Sequence, residues 1–361
     1  MTAPRRVALV SGFWGQNIGN AFFNVGGKWM LEQAFGPDDR VEFIQDQPGY
    51  RTFHDQSTGN PVNDIGLLDH LAVDYIVLQG PMLTVDFRAL WQSTFAALKS
   101  RGTKIILLGA AMFRFTDEEV AANRAFLAEI EPHVLVTRDR PTFDAFKDLC
   151  EHAYAGVDSA FFVPYAYRPF DLDLPPYVAM TYDRFPEPAV VTVHEGERLP
   201  GRHDTTFTAL GMHWGLDYPW LLERLAHRGK VPSYIGSFVD RRALGSQIGR
   251  YRVVRPEHRF NPHITPKIYK RSNAVASDEP FTYFTVYANT ELTVSDRVHA
   301  CIVTLAYGRP AIMYRHTERA LLFDRLDLHE IGSRPVELPR ERLDQEMHAE
   351  LDFLRNALGT G

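Results

Sequence analysis

The chain has few cysteines and no excess of positive charge. Its 361 residues include only two cysteines, Cys150 and Cys301. This scarcity argues against a disulfide framework and against a thiolate metal cluster, so a reducing cytosol is the expected compartment. The 39 Lys and Arg residues are outnumbered by 45 Asp and Glu residues, which gives a net charge of −6. A broad basic surface for nucleic acid or anionic lipid is therefore not expected.

Long hydrophobic runs are also missing. No segment approaches the roughly 18 to 20 uninterrupted apolar residues that a membrane-spanning helix needs. The apolar run after Arg5 and Arg6 is interrupted at Gly12 and Gly15, and no small-residue cleavage site follows, so it predicts a strand rather than a targeting peptide. We expect a cytoplasmic protein without an integral membrane segment, and any membrane contact would be peripheral, at the inner face.

Residues 1–164 alternate short β-branched runs with amphipathic stretches, which is typical of a parallel sheet flanked by helices. The pattern predicts five strands: Val7–Ser11, Val41–Asp46, Tyr75–Gln79, Lys104–Leu108 and Val134–Thr137. It also predicts helices over Phe87–Ser100 and Asp117–Ile130. The second of these helices begins with a capping box, in which Thr116 is the N-cap and Glu119 follows three residues later.

A proline-rich segment, 164–188, interrupts this pattern and predicts a linker or domain edge. Beyond it, a second α/β unit is predicted, with strands at Ala189–Val193, Val231–Ile235, Tyr251–Val254, Glu291–Val294 and Pro310–Tyr314 and helices at Tyr218–Arg228, Val298–Tyr307 and Thr317–Arg325. The last segment, Arg340–Leu358, has an apolar face and predicts a packed amphipathic helix whose Glu and Arg residues face solvent.

The predicted fold is therefore α/β, with two Rossmann-like domains that face a cleft. The domains span residues 1–164 and 165–335, and a C-terminal amphipathic helix occupies 336–361. Ligands commonly bind in such a cleft, at the carboxyl ends of the strands.

The first candidate binding segment is the loop Gly15–Asn20, between the first strand and a predicted helix. Glycine allows a close backbone approach, and a helix start offers N–H groups to an anion, so Asn17, Gly19 and Asn20 are candidate ligand contacts. The spacing matches neither the dinucleotide fingerprint nor the P-loop, and a plain tight turn is the alternative.

A second candidate is the pair Arg138 and Asp139, at the carboxyl end of the fifth predicted strand. Arg138 could hold a carboxylate or phosphate, and Asp139 could orient it or act as a base. The alternative for Asp139 is a helix N-cap ahead of Pro141. Nearby, Asp158 could face the cleft or bond to its own backbone in a turn.

The third candidate is Ser295–Ala300, where Arg297 and His299 stand at a strand-to-helix turn. Both could reach an anion at the helix start, and His299 can transfer a proton near neutral pH. The other histidines have no spacing typical of a metal site, so no metal is predicted.

These three segments together resemble the polysaccharide pyruvyl transferase family. The matching features are the early G-x-N-x-G-N loop, the Thr-Arg-Asp at residues 137–139 followed by Gly-Val-Asp at 156–158, and the Ser-x-Arg-x-His-Ala block at 295–300. The block continues into a helix, Gly308-Arg309-Pro310 and a strand. The chain departs from the family pattern at Asn20, where the family usually has Asp, and at Thr142, where it often has Ser.

The resemblance implies a fold like that of the GT-B glycosyltransferases and a role in polysaccharide biosynthesis. The implied reaction moves a pyruvyl group from phosphoenolpyruvate to two hydroxyls of a sugar, forming a ketal, with no redox cofactor. By residue matching, Arg138, Arg297 and His299 bind the donor and act in catalysis. The chemistry suggests His299 as the acid and Asp139 or Asp158 as the base.

Two alternatives stay open at this point. One is a glycosyltransferase that uses a nucleotide-sugar, with Glu257 or Asp278 and Glu279 holding the ribose; the other is a non-catalytic sugar-binding relative. Trp214 is a candidate for stacking on the acceptor sugar, whereas Trp220 is expected to pack in the core. The sequence leaves open whether the acceptor is lipid-linked or nucleotide-linked, which hydroxyls are bridged, and the oligomeric state.

Overall fold

The structure is a computed structural model that describes residues 3–15, 17–45, 66–182, 185–229, 231–232, 235–236, 244–259, 271–314 and 318–361. Within these ranges the chain forms two larger sheets, built mainly of parallel strands, and a small antiparallel sheet. This confirms the predicted α/β class. The domain boundaries after residues 164 and 335 stay predictions.

The first sheet has the strand order β2-β1-β3-β4-β5-β6, and all its neighbours are parallel. Its strands are β1 Arg6–Val10, β2 Arg40–Ile44, β3 Tyr75–Gln79, β4 Lys104–Ala110, β5 Val134–Thr137 and β6 His152–Ala155. The five predicted strands are confirmed, although Asp46 lies outside the described residues. The sequence does not predict strand β6, because its four residues at the sheet edge are only half-buried and carry no β-branched side chain.

The described residues up to 166 form five α-helices: α1 Gly19–Phe35, α2 Phe87–Lys99, α3 Asp117–Ile130, α4 Arg140–Phe146 and α5 Val163–Ala166. The hydroxyl of Thr116 accepts the N–H of Glu119, as predicted for the N-cap of α3. The carboxylate of Glu119, however, accepts the N–H groups of the preceding residues 113–115. It therefore shapes the loop after β4 instead of completing a capping box.

The second sheet has the order β11-β12-β7-β14-β15, and β13 pairs with β12. Its strands are β7 Tyr177–Thr181, β11 Gln247–Ile248, β12 Tyr251–Pro256, β13 Ala274–Val275, β14 Leu292–Ser295 and β15 Ala311–Met313. Apart from β11, which is antiparallel to β12, the pairs are parallel. The proline-rich segment 164–188, predicted as a linker or domain edge, contains the fully buried central strand β7 and is therefore not a linker throughout.

The small sheet pairs β8 Ala189–His194, β9 Thr205–Ala209 and β10 Met212–Asp217 in the order β8-β10-β9. The helices of this half are α6 Trp220–His227, α7 Pro280–Asn289 and α8 Val298–Ala306. The strand predicted at Val231–Ile235 is wrong, since its described residues are helical. The helix predicted at Thr317–Arg325 is a 3₁₀ segment, Glu318–Leu326, and Thr317 lies outside the described residues.

Helix α1 joins the two halves of the core. Phe22 on α1 packs its ring against Phe284 and Tyr287 of α7, and one continuous apolar cluster includes both Leu9 of β1 and Ile302 of α8. The final helix, α9 Arg340–Leu358, contacts α1 and β6 and so covers the first sheet. Two of its glutamates, Glu346 and Glu350, are buried, which corrects the expectation that they face solvent.

Among the described helices, none has both the length and the apolar character needed to cross a bilayer.

Candidate active site

The candidate residues follow strands of both sheets. The loop after β1, the turns after β5 and β6, and the turn after β14 all lie at carboxyl ends of strands, which is where parallel sheets bind ligands. Contacts between these four segments show which side chains meet.

Arg138 and Asp158 form a buried ion pair between the turns after β5 and β6. The Nη1 atom of Arg138 donates to Oδ2 of Asp158 at 2.7 Å, and the two side chains are only 5% and 1% exposed. The other oxygen, Oδ1, accepts the N–H of Ala160 at 2.9 Å. Burial alone would raise the pKa of Asp158, but His299, Arg138 and this N–H outweigh it and hold the pKa well below its usual range. Asp158 is therefore a permanent carboxylate at neutral pH.

The same carboxylate faces His299 from the other half of the chain. The Nε2 atom of His299 lies 3.6 Å from Oδ2 of Asp158, and the imidazole is 17% exposed. Burial lowers the pKa of His299, Asp158 raises it, and the cations Arg138 and Arg319 lower it further. The net direction is downward, so the surrounding residues favour a neutral imidazole. An anion bound beside His299 would raise its pKa again.

The glycine loop touches His299 directly. A Cβ atom at Gly19 would lie 3.0 Å from Nδ1 of His299 and 3.3 Å from Oδ1 of Asn17, which is tighter than ordinary contact. Glycine at this position thus lets the first turn of α1 approach the imidazole. The backbone N–H of Ile18 donates to the carbonyl of His258 at 2.9 Å and ties the loop to the second half of the chain.

Arg297 also reaches the glycine loop. It is the N-cap of α8, where its backbone N–H donates to Oγ of Ser295 at 2.9 Å. Its Nη1 atom donates to Oδ1 of Asn17 at 3.3 Å, and Nδ2 of Asn17 is 3.4 Å from Oδ1 of Asn20. Asn20 also lines a cavity of about 150 Å³ together with Gly12, Phe23, Gln79 and Met82. The loop therefore connects Arg297 and His299 to this cavity.

A third cation, Arg319, is one that the sequence does not reveal. Its guanidinium lies 4.8 Å from the centre of the Phe113 ring, in the loop after β4, and its charge contributes to the lowered pKa of His299. Arg319 is within the 3₁₀ segment Glu318–Leu326, and no motif surrounds it in the sequence. Only the fold could place it beside the histidine.

For Asp139 the structure favours the capping alternative over the expected role as a base. Asp139 is the N-cap of α4, where its Oδ1 accepts the N–H of Thr142 at 2.8 Å. Its side chain is buried, and burial raises its pKa. This is the capping alternative that the sequence left open, and Asp139 is therefore assigned no catalytic role.

The burial of Trp214 and of Trp220 is the opposite of what the sequence predicts. Trp214 is fully buried: its indole N–H donates to the carbonyl of Ala209 at 2.9 Å, and its ring stacks on Phe207 at 5.5 Å. It belongs to the core, so the expected stacking on a sugar is wrong. Trp220 is 68% exposed at the start of α6, which is contrary to the core position expected for it.

The three acidic residues considered as ribose contacts differ in their exposure to solvent. Glu257 is buried, and its Oε1 accepts the N–H of Arg259 at 3.1 Å. Asp278 and Glu279 are exposed at the start of α7. Glu257 is thus engaged in its own turn, whereas the other two acids face solvent.

The cluster of potential metal ligands in the described residues, His133, Glu151 and His152, lies at the opposite edge of the first sheet, where β5 and β6 begin. Nδ1 of His133 is 2.6 Å from Glu151, but Nε2 is 3.5 Å from the ammonium of Lys104. That ammonium would repel a cation bound at the ring. We therefore assign the cluster no part in the site.

Comparison with known proteins identifies a family. A family model described as polysaccharide pyruvyl transferase matches residues 17–318. No curated protein sequence matches the chain.

Similar solved structures are distant in sequence. S. aureus MnaA, in a co-structure with UDP, is 13% identical with a TM-score of 0.48, and the match covers 99% of this chain and 91% of that one. UDP-GlcNAc 2-epimerase from Neisseria meningitidis, bound to UDP-GlcNAc, is 12% identical with a TM-score of 0.45, covering 98% and 94%. The glycotransferase of kitacinnamycin is 12% identical with a TM-score of 0.37, covering 99% and 96%.

Proposed function

Since the chain belongs to the polysaccharide pyruvyl transferase family, we propose that it moves the pyruvyl group of phosphoenolpyruvate to two hydroxyls of a saccharide, forming a cyclic ketal. The observation that carries this proposal is the meeting of Arg138 and His299 on the carboxylate of Asp158, with Arg297 and His299 both against the Asn17–Gly19 turn. Residues from both halves of the chain thus surround one place.

The donor has two anionic groups, a carboxylate and a phosphate, and each needs its own cationic contact. In our proposal Arg138 and Arg297 bind these groups, since guanidinium groups form paired hydrogen bonds to both kinds of anion. Arg319 adds a positive charge close enough to His299 to lower the pKa of its imidazole. Asn17, Gly19 and Asn20 border the donor in this proposal, since Asn17 contacts Arg297 and Asn20, and Gly19 lies against His299.

His299 is the proposed general acid. Phosphate on the donor raises the pKa of the imidazole, so that it is protonated in the complex and delivers a proton to the methylene carbon. Positive charge then develops at the central carbon, the first sugar hydroxyl attacks there, and the C–O bond to phosphate breaks. The second hydroxyl attacks the same carbon and closes the ketal. The proton of one hydroxyl returns His299 to its protonated form, and the proton of the other hydroxyl leaves with the phosphate.

Asp158 is proposed to orient His299 rather than to act as the base. Its pKa lies well below the usual range and it is paired with Arg138, so it holds a negative charge that stabilises the imidazolium and accepts protons poorly. Neutral His299, after protonating the donor, is in place to accept a hydroxyl proton. One residue then serves as acid and base in turn.

The acceptor in this proposal is a saccharide, either lipid-linked or nucleotide-linked. Because phosphoenolpyruvate is an intracellular metabolite, we place the reaction in the cytoplasm. A lipid-linked acceptor would bring the protein to the inner face of the membrane, as a peripheral protein.

The experiment that tests the proposal is run in D₂O with ¹³C-labelled phosphoenolpyruvate and a panel of saccharides. The expected products are inorganic phosphate and a ketal whose methyl group carries one deuterium, seen by NMR and mass spectrometry. If neither product forms over a broad panel, the proposed reaction is wrong.

A binding experiment separates the proposal from the glycosyltransferase alternative without an acceptor. Phosphoenolpyruvate is expected to raise the melting temperature, because a ligand that binds only the native state stabilises it. Stabilisation by UDP-sugars alone would favour a glycosyltransferase. In the transfer assay with a saccharide acceptor, donor turnover that is lost in Arg297→Ala but kept in Arg140→Ala, a change at an exposed arginine, would exclude a non-catalytic relative.

A further inference from the structure

The last helix, α9, sends a buried carboxyl group towards the candidate site. Glu350 is 1% exposed, and its Oε2 accepts the backbone N–H of Val157 at 3.1 Å, across 193 residues of sequence. A Cβ atom at Gly156 would lie 2.3 Å from this Oε2. Glycine at 156 therefore leaves the space that the carboxyl group of Glu350 occupies.

This contact is one residue away from Asp158. The segment Gly156–Asp158 leaves β6 and delivers the carboxylate that faces both Arg138 and His299. The contact with Glu350 fixes the segment from the side of α9, while the N–H of Ala160 fixes it from the following turn. Small displacements of such a segment change the geometry of catalytic groups, and a shift of 1 Å can cost about 100-fold in rate.

We propose that Glu350 is a positioning residue, which holds Asp158 in place between Arg138 and His299 through its hydrogen bond to Val157. The inference rests on the proposed function for its effect on catalysis, and on geometry alone for its effect on His299. It also explains why the C-terminal helix returns to the first sheet with a glutamate among its apolar residues.

The charged groups around Glu350 favour its neutral form. Burial raises its pKa to about 8; the N–H of Val157 and the cation Arg325 act against this, and Glu346 and Asp158 add to it. Tyr154 on β6 also lies within its electrostatic reach. Its second oxygen, Oε1, has no hydrogen-bond partner among the described residues and can carry the proton. A protonated Glu350 avoids a third negative charge beside Glu346 and Asp158.

The matched variants are Glu350→Gln, Glu350→Ala and Glu346→Gln. In Glu350→Gln the new side chain can still accept the N–H of Val157 and is neutral at every pH, whereas Glu350→Ala removes the acceptor. Glu346 is one turn earlier on α9, and its carboxylate pairs with Arg325 and Arg342. It is the control for loss of a buried carboxylate on the same helix.

The first measurement needs no substrate: the pKa of His299 is followed by NMR of ¹³C-labelled imidazole. We expect Glu350→Ala to lower this pKa, because a displaced Asp158 supports the imidazolium less. Glu350→Gln should keep the wild-type pKa and abolish a second inflection of the His299 signal near pH 8, where Glu350 ionises. Glu346→Gln should leave the pKa of His299 unchanged and keep the second inflection. The inflection should move to lower pH, because this variant removes a negative charge that raises the pKa of Glu350.

The second measurement is kcat/KM for phosphoenolpyruvate at pH 7. Glu350→Ala should lose about 10-fold, while Glu350→Gln and Glu346→Gln stay within about 2-fold of wild type. An unchanged His299 pKa in Glu350→Ala, or a loss in Glu350→Gln as large as in Glu350→Ala, would overturn the inference. If Glu350→Ala does not fold, Glu350→Met, which fills a similar volume but has no carboxyl oxygen to accept the N–H of Val157, must show the same lowered pKa. NMR shifts without any donor turnover by the wild type would refute the proposed function and leave the positioning contact supported.

Discussion

The two edges of the first sheet differ in a way that cavity size does not reveal. The amino edge has the larger cavity, about 610 Å³, lined by Lys104, His133 and Glu151, but these groups are near one another in the sheet and Glu151 is 62% exposed. The carboxyl edge has a cavity of only about 150 Å³, yet His299 of the second half of the chain meets Arg138 and Asp158 there, and all three side chains are largely buried. Buried charges persist only when they are paired, so their convergence indicates function better than volume does.

If the carboxyl edge of the sheet is the active site, the largest loss of activity is expected from a substitution of His299. We expect His299→Ala to lower the rate of pyruvyl transfer by about 100-fold or more, because the variant lacks the group that protonates the donor carbon in the proposed reaction. The readout is phosphate release under saturating donor.

His329→Ala, a change at an exposed histidine of the second half, is the matched control and should keep the wild-type rate. A His299→Ala protein with nearly full activity would make His299 a structural residue and remove the distinction between the two edges.

The sequence is sufficient to predict the position of candidate residues that directly follow a strand. Arg138, Arg297 and His299 each stand at a strand-to-helix turn, and a parallel sheet sends the carboxyl ends of its strands to one edge. Their positions at such edges could therefore be predicted from the sequence alone. The convergence of the two halves could not, because it depends on how α1 packs between the sheets, with Gly19 against His299.

Glu350 and Arg319 show two different limits of prediction from the sequence. A signal for Glu350 is present, because it lies three residues after Met347 and four before Leu354, on the apolar face of α9. A glutamate on such a face predicts a buried carboxyl group, although not its partner 193 residues away. Arg319 carries no signal, since its place beside Phe113 follows only from the tertiary structure.

The errors in the fold have a common physical cause. The prolines of segment 164–188 predict a linker or domain edge, but none of them lies within strand β7, so its five residues are free to pair. In the same half, the apolar run at Val231–Ile235 has no periodicity that separates a strand from a helical segment, and its described residues are helical. Tertiary packing decided both cases.

A smaller effect is expected at Asp158, and it appears in the pH profile. Asp158→Asn removes the negative charge that raises the pKa of His299, so this pKa falls further below its ordinary value. Because His299 acts in its protonated form, the rate should start to decline at a lower pH than in the wild type as the pH rises. We expect a loss of about 10-fold at pH 7, since a change of one pKa unit alters the protonated fraction by that factor.

The measurement is kcat/KM for phosphoenolpyruvate from pH 5 to 9. Asp144→Asn, at an exposed aspartate on α4, is the control and should leave the profile in place. An Asp158→Asn profile that falls at the wild-type pH would mean that Asp158 does not act through His299.

The smallest effect is expected at the amino edge, where the double variant His133→Ala, Glu151→Ala should leave the rate within about 2-fold of wild type. The contact between His133 and Glu151 is at the edge of the sheet away from the candidate site, and an interaction with a largely exposed carboxylate is worth about 1 kcal/mol or less to stability. The comparison therefore predicts a small decrease in melting temperature without a change in kcat/KM. A loss of activity comparable to that of Asp158→Asn would show that the larger cavity takes part in the reaction, and that the convergence of buried charges at the carboxyl edge is not what marks the site.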